Sequence, residues 1–259
     1  FQVGIGAYNG TDANVDTENG VVVNVKNAVI GANGDTYAGW AGTGFYDTDT
    51  EKAAAMTDAK YVLNIENSIA EFGYLHVSND GELNVKGDAA EKKWYNNSDY
   101  SFYAGDFIIN GTATFDATDV LALYTKVSCD NDTDNPGTLN IVNGTVYEAE
   151  RHNADIAGTN FILYKTGVVN VEGANLHVGE HASIAADATM NIGGTATVLG
   201  ELTNNGTINF TSETATLTVP TTGLTVNNAT GNNDIKVVYE NGAYVVTAKH
   251  YVAQVKGTD

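Results

Sequence analysis

Cysteine is all but absent: Cys129 is the only one in 259 residues, which excludes a disulfide framework. Basic side chains are scarce too, 12 against 32 acidic ones, with Arg151 the single arginine and a net charge of −20. Nucleic acid and anionic membrane surfaces are excluded as partners by that balance, because both would repel the chain. No run approaches the roughly 18 apolar residues of a membrane helix, so no direct membrane insertion is expected. No signal peptide opens the sequence, and Phe1 reads as the start of a processed segment. Helical periodicity is confined to Glu51 to Ala59 and Ala89 to Lys93, neither with a sustained apolar stripe. The length suits one long domain or two short ones.

What is abundant is Val, Ile, Thr, Tyr and Phe, the residues that fit a pleated, half-buried surface. The 30 Asn and 28 Gly supply many positions that tolerate positive φ, hence many tight turns. The expected class is all-β.

An internal repeat refines this. A triplet of apolar, Asn, apolar recurs as Val23-Asn24-Val25, Leu63-Asn64-Ile65, Leu83-Asn84-Val85 and Leu139-Asn140-Ile141. It continues as Val169-Asn170-Val171, Met190-Asn191-Ile192 and Ile208-Asn209-Phe210, with Ile109-Asn110-Gly111 as an imperfect copy. In a strand the period is two, so the apolar pair faces one way and Asn the other. Stacking such triplets buries the pairs in a continuous core and leaves an outer row of Asn whose amides bond along the stack. Asn143-Gly144 and Gly193-Gly194 are positioned to turn the chain onto the next face. The expected fold is a right-handed parallel β-helix (β-solenoid) with irregular rungs over residues 1–230 and aromatic loop insertions at 31–60 and 87–106. Residues 231–259 are expected to form a C-terminal β-hairpin cap and tail, because two alternating runs within Asp234 to Lys249 flank Asn241-Gly242. The competing reading is a sandwich of hairpins.

The triplets, with segments such as GTLNIVNGTVY (Gly137 to Tyr147) and GELTNNGTINF (Gly200 to Phe210), resemble the β-helical stalks of bacterial surface proteins. Autotransporter passengers and adhesin-like proteins are the groups concerned, and the likeness covers most of Val21 to Val226. It implies secretion, surface display and binding without catalysis, and it assigns no functional residues.

Loops on a rigid scaffold carry function more often than the scaffold does, so the two insertions hold the candidate ligand-binding residues. These are Tyr37, Trp40 and Tyr46 in the first, and Trp94, Tyr95, Tyr100 and Tyr103 in the second. Loop aromatics stack on sugar rings or anchor protein partners. The competing reading packs them in a satellite cluster beneath the loops. Host glycans or host proteins, immunoglobulins among them, are the expected ligands.

No metal or cofactor is expected. Asp130 to Asn135 opens like a calcium loop, but position twelve is Ile141 and position six is Asn135. Asp47, Asp49 and Glu51 raise the same question more weakly. His177 and His181 have the i, i+4 spacing of a helical zinc pair in a segment that reads as strands, and one rung of about 25 residues would set His152 beside His177. Sequons at Asn110, Asn143, Asn209 and five other positions follow from a composition rich in Asn, Gly and Thr.

A polysaccharide-active enzyme on the same fold is the alternative, with Asp106, Asp116, Asp119, Glu148, Glu150 and Asp155 as available carboxylates, though no spacing marks them out. A purely structural stalk is the second alternative. Ice binding, suggested by Thr216 to Thr225, needs ranks of Thr over many rungs, and the Thr-rich run spans one or two.

Overall fold

The computed structural model describes residues 21–30, 40–43, 61–77, 81–95, 98–128, 136–148 and 159–249. All regular structure in them is β, arranged in two long, mainly parallel sheets in a solenoid-like manner.

The first sheet stacks Val21–Lys26, Tyr61–Glu66, Gly81–Lys86, Thr112–Asp116, Thr138–Asn143, Val168–Val171, Thr189–Ile192, Thr207–Phe210 and Asn227–Asn228, each parallel to the next. The repeated triplet sets the register. Its apolar pairs point inward and are buried, from Leu63 and Ile65 through Leu139 and Ile141 to Ile208 and Phe210. Each such side chain contributes on the order of 1.5–3 kcal/mol of burial.

Two outward columns alternate with that core. One runs Val22, Val62, Glu82, Thr112, Thr138, Val168, Thr189, Thr207. The other is the expected row of amides, Asn24, Asn64 and Asn84, then Asn140, Asn170, Asn191 and Asn209, which the structure extends to Asn227. Within each run the Nδ2 donates to the preceding Oδ1, at 2.8 Å from Asn64 to Asn24 and 2.9 Å from Asn84 to Asn64. Below the midpoint the distances are 2.8 Å from Asn170 to Asn140, 2.8 Å from Asn191 to Asn170, 2.9 Å from Asn209 to Asn191 and 3.1 Å from Asn227 to Asn209.

The ladder corrects one assignment. Asn110 is not in it; Thr114 is, in register with Asn84 and Asn140, and Asn140 Nδ2 meets Thr114 Oγ1 at a weak 3.4 Å. The fourth triplet is therefore Ala113-Thr114-Phe115, with both flanking residues fully buried. Asn110 lies at the end of Phe102–Ile109, only 5% exposed. There its Oδ1 meets His76 Nε2 at 2.6 Å and its Nδ2 donates to the Ser128 carbonyl and hydroxyl oxygens at 3.0 and 3.1 Å. A buried amide needs partners at both ends, and this site supplies them.

The second sheet begins with Val29–Ile30 and three long strands, Ile69–Val77, Phe102–Ile109 and Val120–Ser128. Trp40–Thr43 pairs with the second half of Ile69–Val77. After Val120–Ser128 the sheet divides. Its first half continues into Thr145–Glu148, Asn175–Val178, Thr195–Val198 and Thr216–Thr218. Its second half continues into Thr159–Tyr164, His181–Ile184 and Leu202–Asn204. Two strands per turn thus become three.

The expected hairpin forms from Ile235–Glu240 and Ala243–Ala248, and the latter pairs antiparallel with Thr216–Thr218. Asn241 and Gly242 have φ of 51° and 82°, the paired positive values of a type I′ turn. The expected turn at Asn143-Gly144 forms too. Gly144 has φ of 84°, and a Cβ there would lie 2.0 Å from the Ala117 carbonyl oxygen, so only glycine fits.

Residues 89–93 are not helical: Ala89 to Lys92 are irregular and Lys93 opens the strand Lys93–Tyr95. Five residues are too few to offset helix nucleation, and neighbouring side-chain ties hold this stretch in another shape. Glu51 to Ala59 lies outside the described residues.

Candidate ligand-binding site

Between Gly81–Lys86 and Phe102–Ile109 the chain leaves the sheets. Gly87, with φ of 64°, makes the exit turn, and Lys93–Tyr95 and Ser98–Tyr100 then pair antiparallel as a short hairpin. Its register sets Lys93 against Tyr100, Trp94 against Asp99 and Tyr95 against Ser98.

Four side chains pin this hairpin to the second sheet. Asp88, at its start, accepts from the Thr118 amide at 3.0 and 3.1 Å, Thr118 Oγ1 at 2.5 Å, the Asp119 amide at 2.9 Å and Ser101 Oγ at 3.1 Å. One carboxylate therefore joins the two ends of the insertion to the following turn. Burial by itself would raise the Asp88 pKa, but the hydrogen bonds from the Thr118 side chain, the Asp119 and Thr118 amides and Ser101 outweigh it and hold the carboxyl below its ordinary 3.8.

Lys92 pairs with Asp119, whose Oδ2 is shut off from solvent, and that hydrogen bond holds the ammonium above its ordinary 10.5. Lys93 pairs with Glu71, and Tyr100 Oη donates to the same carboxylate at 2.7 Å. The Tyr100 ring packs with Leu121, Leu123 and Tyr103 in a small second core on the outer side of the sheet, its centroid 5.5 Å from that of Tyr103.

Trp94, by contrast with Tyr100 and Tyr103, is bare, at 65% exposure. An exposed indole on a hairpin pinned at both ends is a preorganised anchor, since little conformational freedom remains to be lost when a ligand covers it.

The other expected site residues are placed as follows. Tyr100 is 6% exposed and Tyr103 half-buried. Tyr95 closes the first hairpin strand. Trp40 opens Trp40–Thr43 in register with Tyr74, on the second half of Ile69–Val77. Tyr37 and Tyr46 lie outside the described residues, as do Asp47, Asp49, Glu51, the loop Asp130 to Asn135, and His152. Phe102 and the four residues after it, within the expected second insertion, are already back in the sheet, with Phe102 in the core and its ring 5.1 Å from Phe115.

Register places Tyr147, not His152, one strand from His177. Burial pushes the His177 pKa below 6.5. His181 Nδ1 accepts the Glu201 amide at 2.7 Å, so that nitrogen already has a structural partner. Among the described residues no three His, Cys, Asp or Glu side chains gather as a metal-holding group. Asp116 accepts from Asn143 on the first sheet at 3.0 Å, Asp106 stands in register with Tyr74 and Tyr124 on the second, and Asp119 occupies a turn.

Sequence reasoning did not single out Asp88 or Glu71. The Gly87-Asp88 pair signals a turn, but nothing local shows that the carboxylate closes an insertion on residues 30 positions away.

Comparison with family models, curated proteins and solved structures gives no match to this chain.

Proposed function

We propose that the protein is a non-catalytic binding module, adhesin-like, secreted or displayed on a bacterial cell surface, that recognises a host glycan or host protein. The supporting observation is the Trp94 indole, 65% exposed on a hairpin tied down by Asp88, Lys92, Lys93 and Tyr100. Trp94 is the contact, Tyr95 and Trp40 are further contact candidates, and Tyr100 and Tyr103 position the hairpin from beneath. The scaffold winds right-handed, as nearly all crossovers between parallel strands of one sheet do. The hairpin Ile235–Glu240 and Ala243–Ala248 caps its C-terminal end.

The test is a screen of immobilised protein against mucosal glycans and host serum and mucosal proteins, immunoglobulins included. It is run beside Trp94→Ala and the Trp40→Ala/Trp94→Ala double variant. Saturable binding weakened about 10- to 100-fold by Trp94→Ala supports the reading, since a hot-spot aromatic carries about 1.4–3 kcal/mol. Binding that both variants keep places the contact elsewhere, and no binding to any ligand leaves the structural stalk.

A further inference from the structure

We propose that the Trp94 hairpin takes a cationic side chain, and that its partner is an arginine-bearing segment of a basic protein. The inference rests on the reading of Trp94 as the contact and names what that contact recognises.

The register of the hairpin carries it. In an antiparallel pair, residues directly opposite share a face, with Cβ atoms about 5 Å apart. Lys93 and Tyr100 are one such pair, and both reach Glu71, so their face is turned to the second sheet. Trp94 and Asp99 are the next pair, on the opposite face, and both are exposed. An indole and a carboxylate therefore stand side by side on the outer face of a pinned hairpin.

The chain's own cations are spent elsewhere. Two lysines adjoin Trp94 in sequence, and Lys92 is held by Asp119 while Lys93 is held by Glu71. Lys92 feels the charge of Asp99, but its ion pair is with Asp119. Among the described residues no cation lies within ion-pair distance of Asp99, and none lies over the Trp94 ring. Tyr164 is the other exposed aromatic of the described residues, at 48%, and Lys126 Nζ lies 5.5 Å from its ring centroid. One exposed ring thus already carries a cation of its own chain. The other has a bare face and an unpaired carboxylate beside it, which singles out this place on an acidic surface.

Arginine fits the pair best. Its planar guanidinium stacks on an indole, while its N–H fork, all donor, meets a carboxylate that is all acceptor. A lysine ammonium brings the charge without the stacking plane. A neutral sugar stacks on the ring but gains nothing from the charge. Sialylated and sulfated glycans are repelled by Asp99 and by Glu91, exposed three residues before Trp94. The molecule as a whole acts in the same sense: at a net charge of −20 it draws a basic partner from a distance and repels an acidic one.

The test is fluorescence polarisation of short labelled peptides, alternating arginine with glycine, titrated with the whole chain beside lysine and glutamate versions. It is run in parallel with the screen of glycans and host proteins. The arginine peptide is expected to bind, the lysine peptide at least about threefold more weakly and the glutamate peptide not at all, with affinity falling as salt rises. Trp94→Leu, which keeps an apolar side chain without the π face, and Asp99→Asn, which keeps the shape without the charge, should each weaken binding at least about fivefold. Asp187→Asn removes the same charge from an exposed turn before Thr189–Ile192, four strands along the first sheet from Gly81–Lys86, and should change binding by less than about twofold. An arginine peptide that binds all three variants alike is held by diffuse charge, which overturns the proposal. No arginine binding, with a glycan held in a Trp94-dependent way, overturns the cation and leaves Trp94 as the contact. No Trp94-dependent binding of any probe removes both readings. Circular dichroism confirms that each variant keeps its β-structure, and the ties through Asp88, Lys93 and Tyr100 are untouched in all of them.

Discussion

Asn170 donates to Asn140 and accepts from Asn191, so one side chain holds two links of the ladder. Asn170→Ala should lower stability by about 1–2 kcal/mol, since the bonds are half-exposed and each contributes roughly 0.5–1.5 kcal/mol net. Thr114→Asn should act in the opposite sense, replacing the 3.4 Å contact by two amide bonds and raising stability by about 0.5–1 kcal/mol. Urea denaturation of both variants measures this, and a Thr114→Asn protein less stable than the parent would show that the break in the ladder is required. Asp88 gives a pH dependence of known sign. Its folded pKa lies below the ordinary 3.8, so its stabilising effect is full above pH 3.8 and is lost as pH falls through the folded value. Melting temperatures of the wild type and Asp88→Asn should differ at neutral pH and converge in acid; a gap that persists in acid would assign the effect to packing.

At the scale of elements, two glycine turns with similar φ separate two causes. Gly242 stands in open space, so Gly242→Ala meets only the positive-φ penalty, about 1–2 kcal/mol. Gly144→Ala meets that penalty and a carbonyl oxygen 2.0 Å from the new Cβ, and should cost about 2–5 kcal/mol. Equal losses in thermal melts would mean the corner at Ala117 yields freely. The type I′ hairpin was legible because its register is local, Asn241-Gly242 between two alternating runs. The hairpin over 93–100 was not: its strands are three residues each and are held by Glu71, Asp88 and Asp119, partners that no local pattern reveals.

At the scale of the molecule, the main apolar core of the described residues runs continuously from Leu63 to Tyr244, and each strand pair depends on the one beside it. The last hairpin occupies the edge of Thr216–Thr218 that would otherwise be unpaired. Deleting residues 232–249 should therefore promote edge-to-edge aggregation, read by light scattering against the intact chain. A truncated chain that stays monomeric and soluble would remove the capping role from the proposal.

The sequence by itself determined the class, the repeat, the inward apolar pairs and the outward amides, because alternation in a strand is a property of two neighbouring residues. It also determined the final hairpin, for the same local reason. Only the tertiary structure decided which residue fills each rung. Asn110 and Thr114 lie four positions apart, and the turn length that puts Thr114 in the ladder and buries Asn110 against His76 and Ser128 follows from packing of adjacent rungs. Packing likewise decided which loop aromatics are covered. Tyr100 and Trp94 are alike as loop aromatics in sequence, yet one lies over Leu121 and Leu123 and the other faces solvent, because Lys93 and Tyr100 reach Glu71 across 22 and 29 residues of chain.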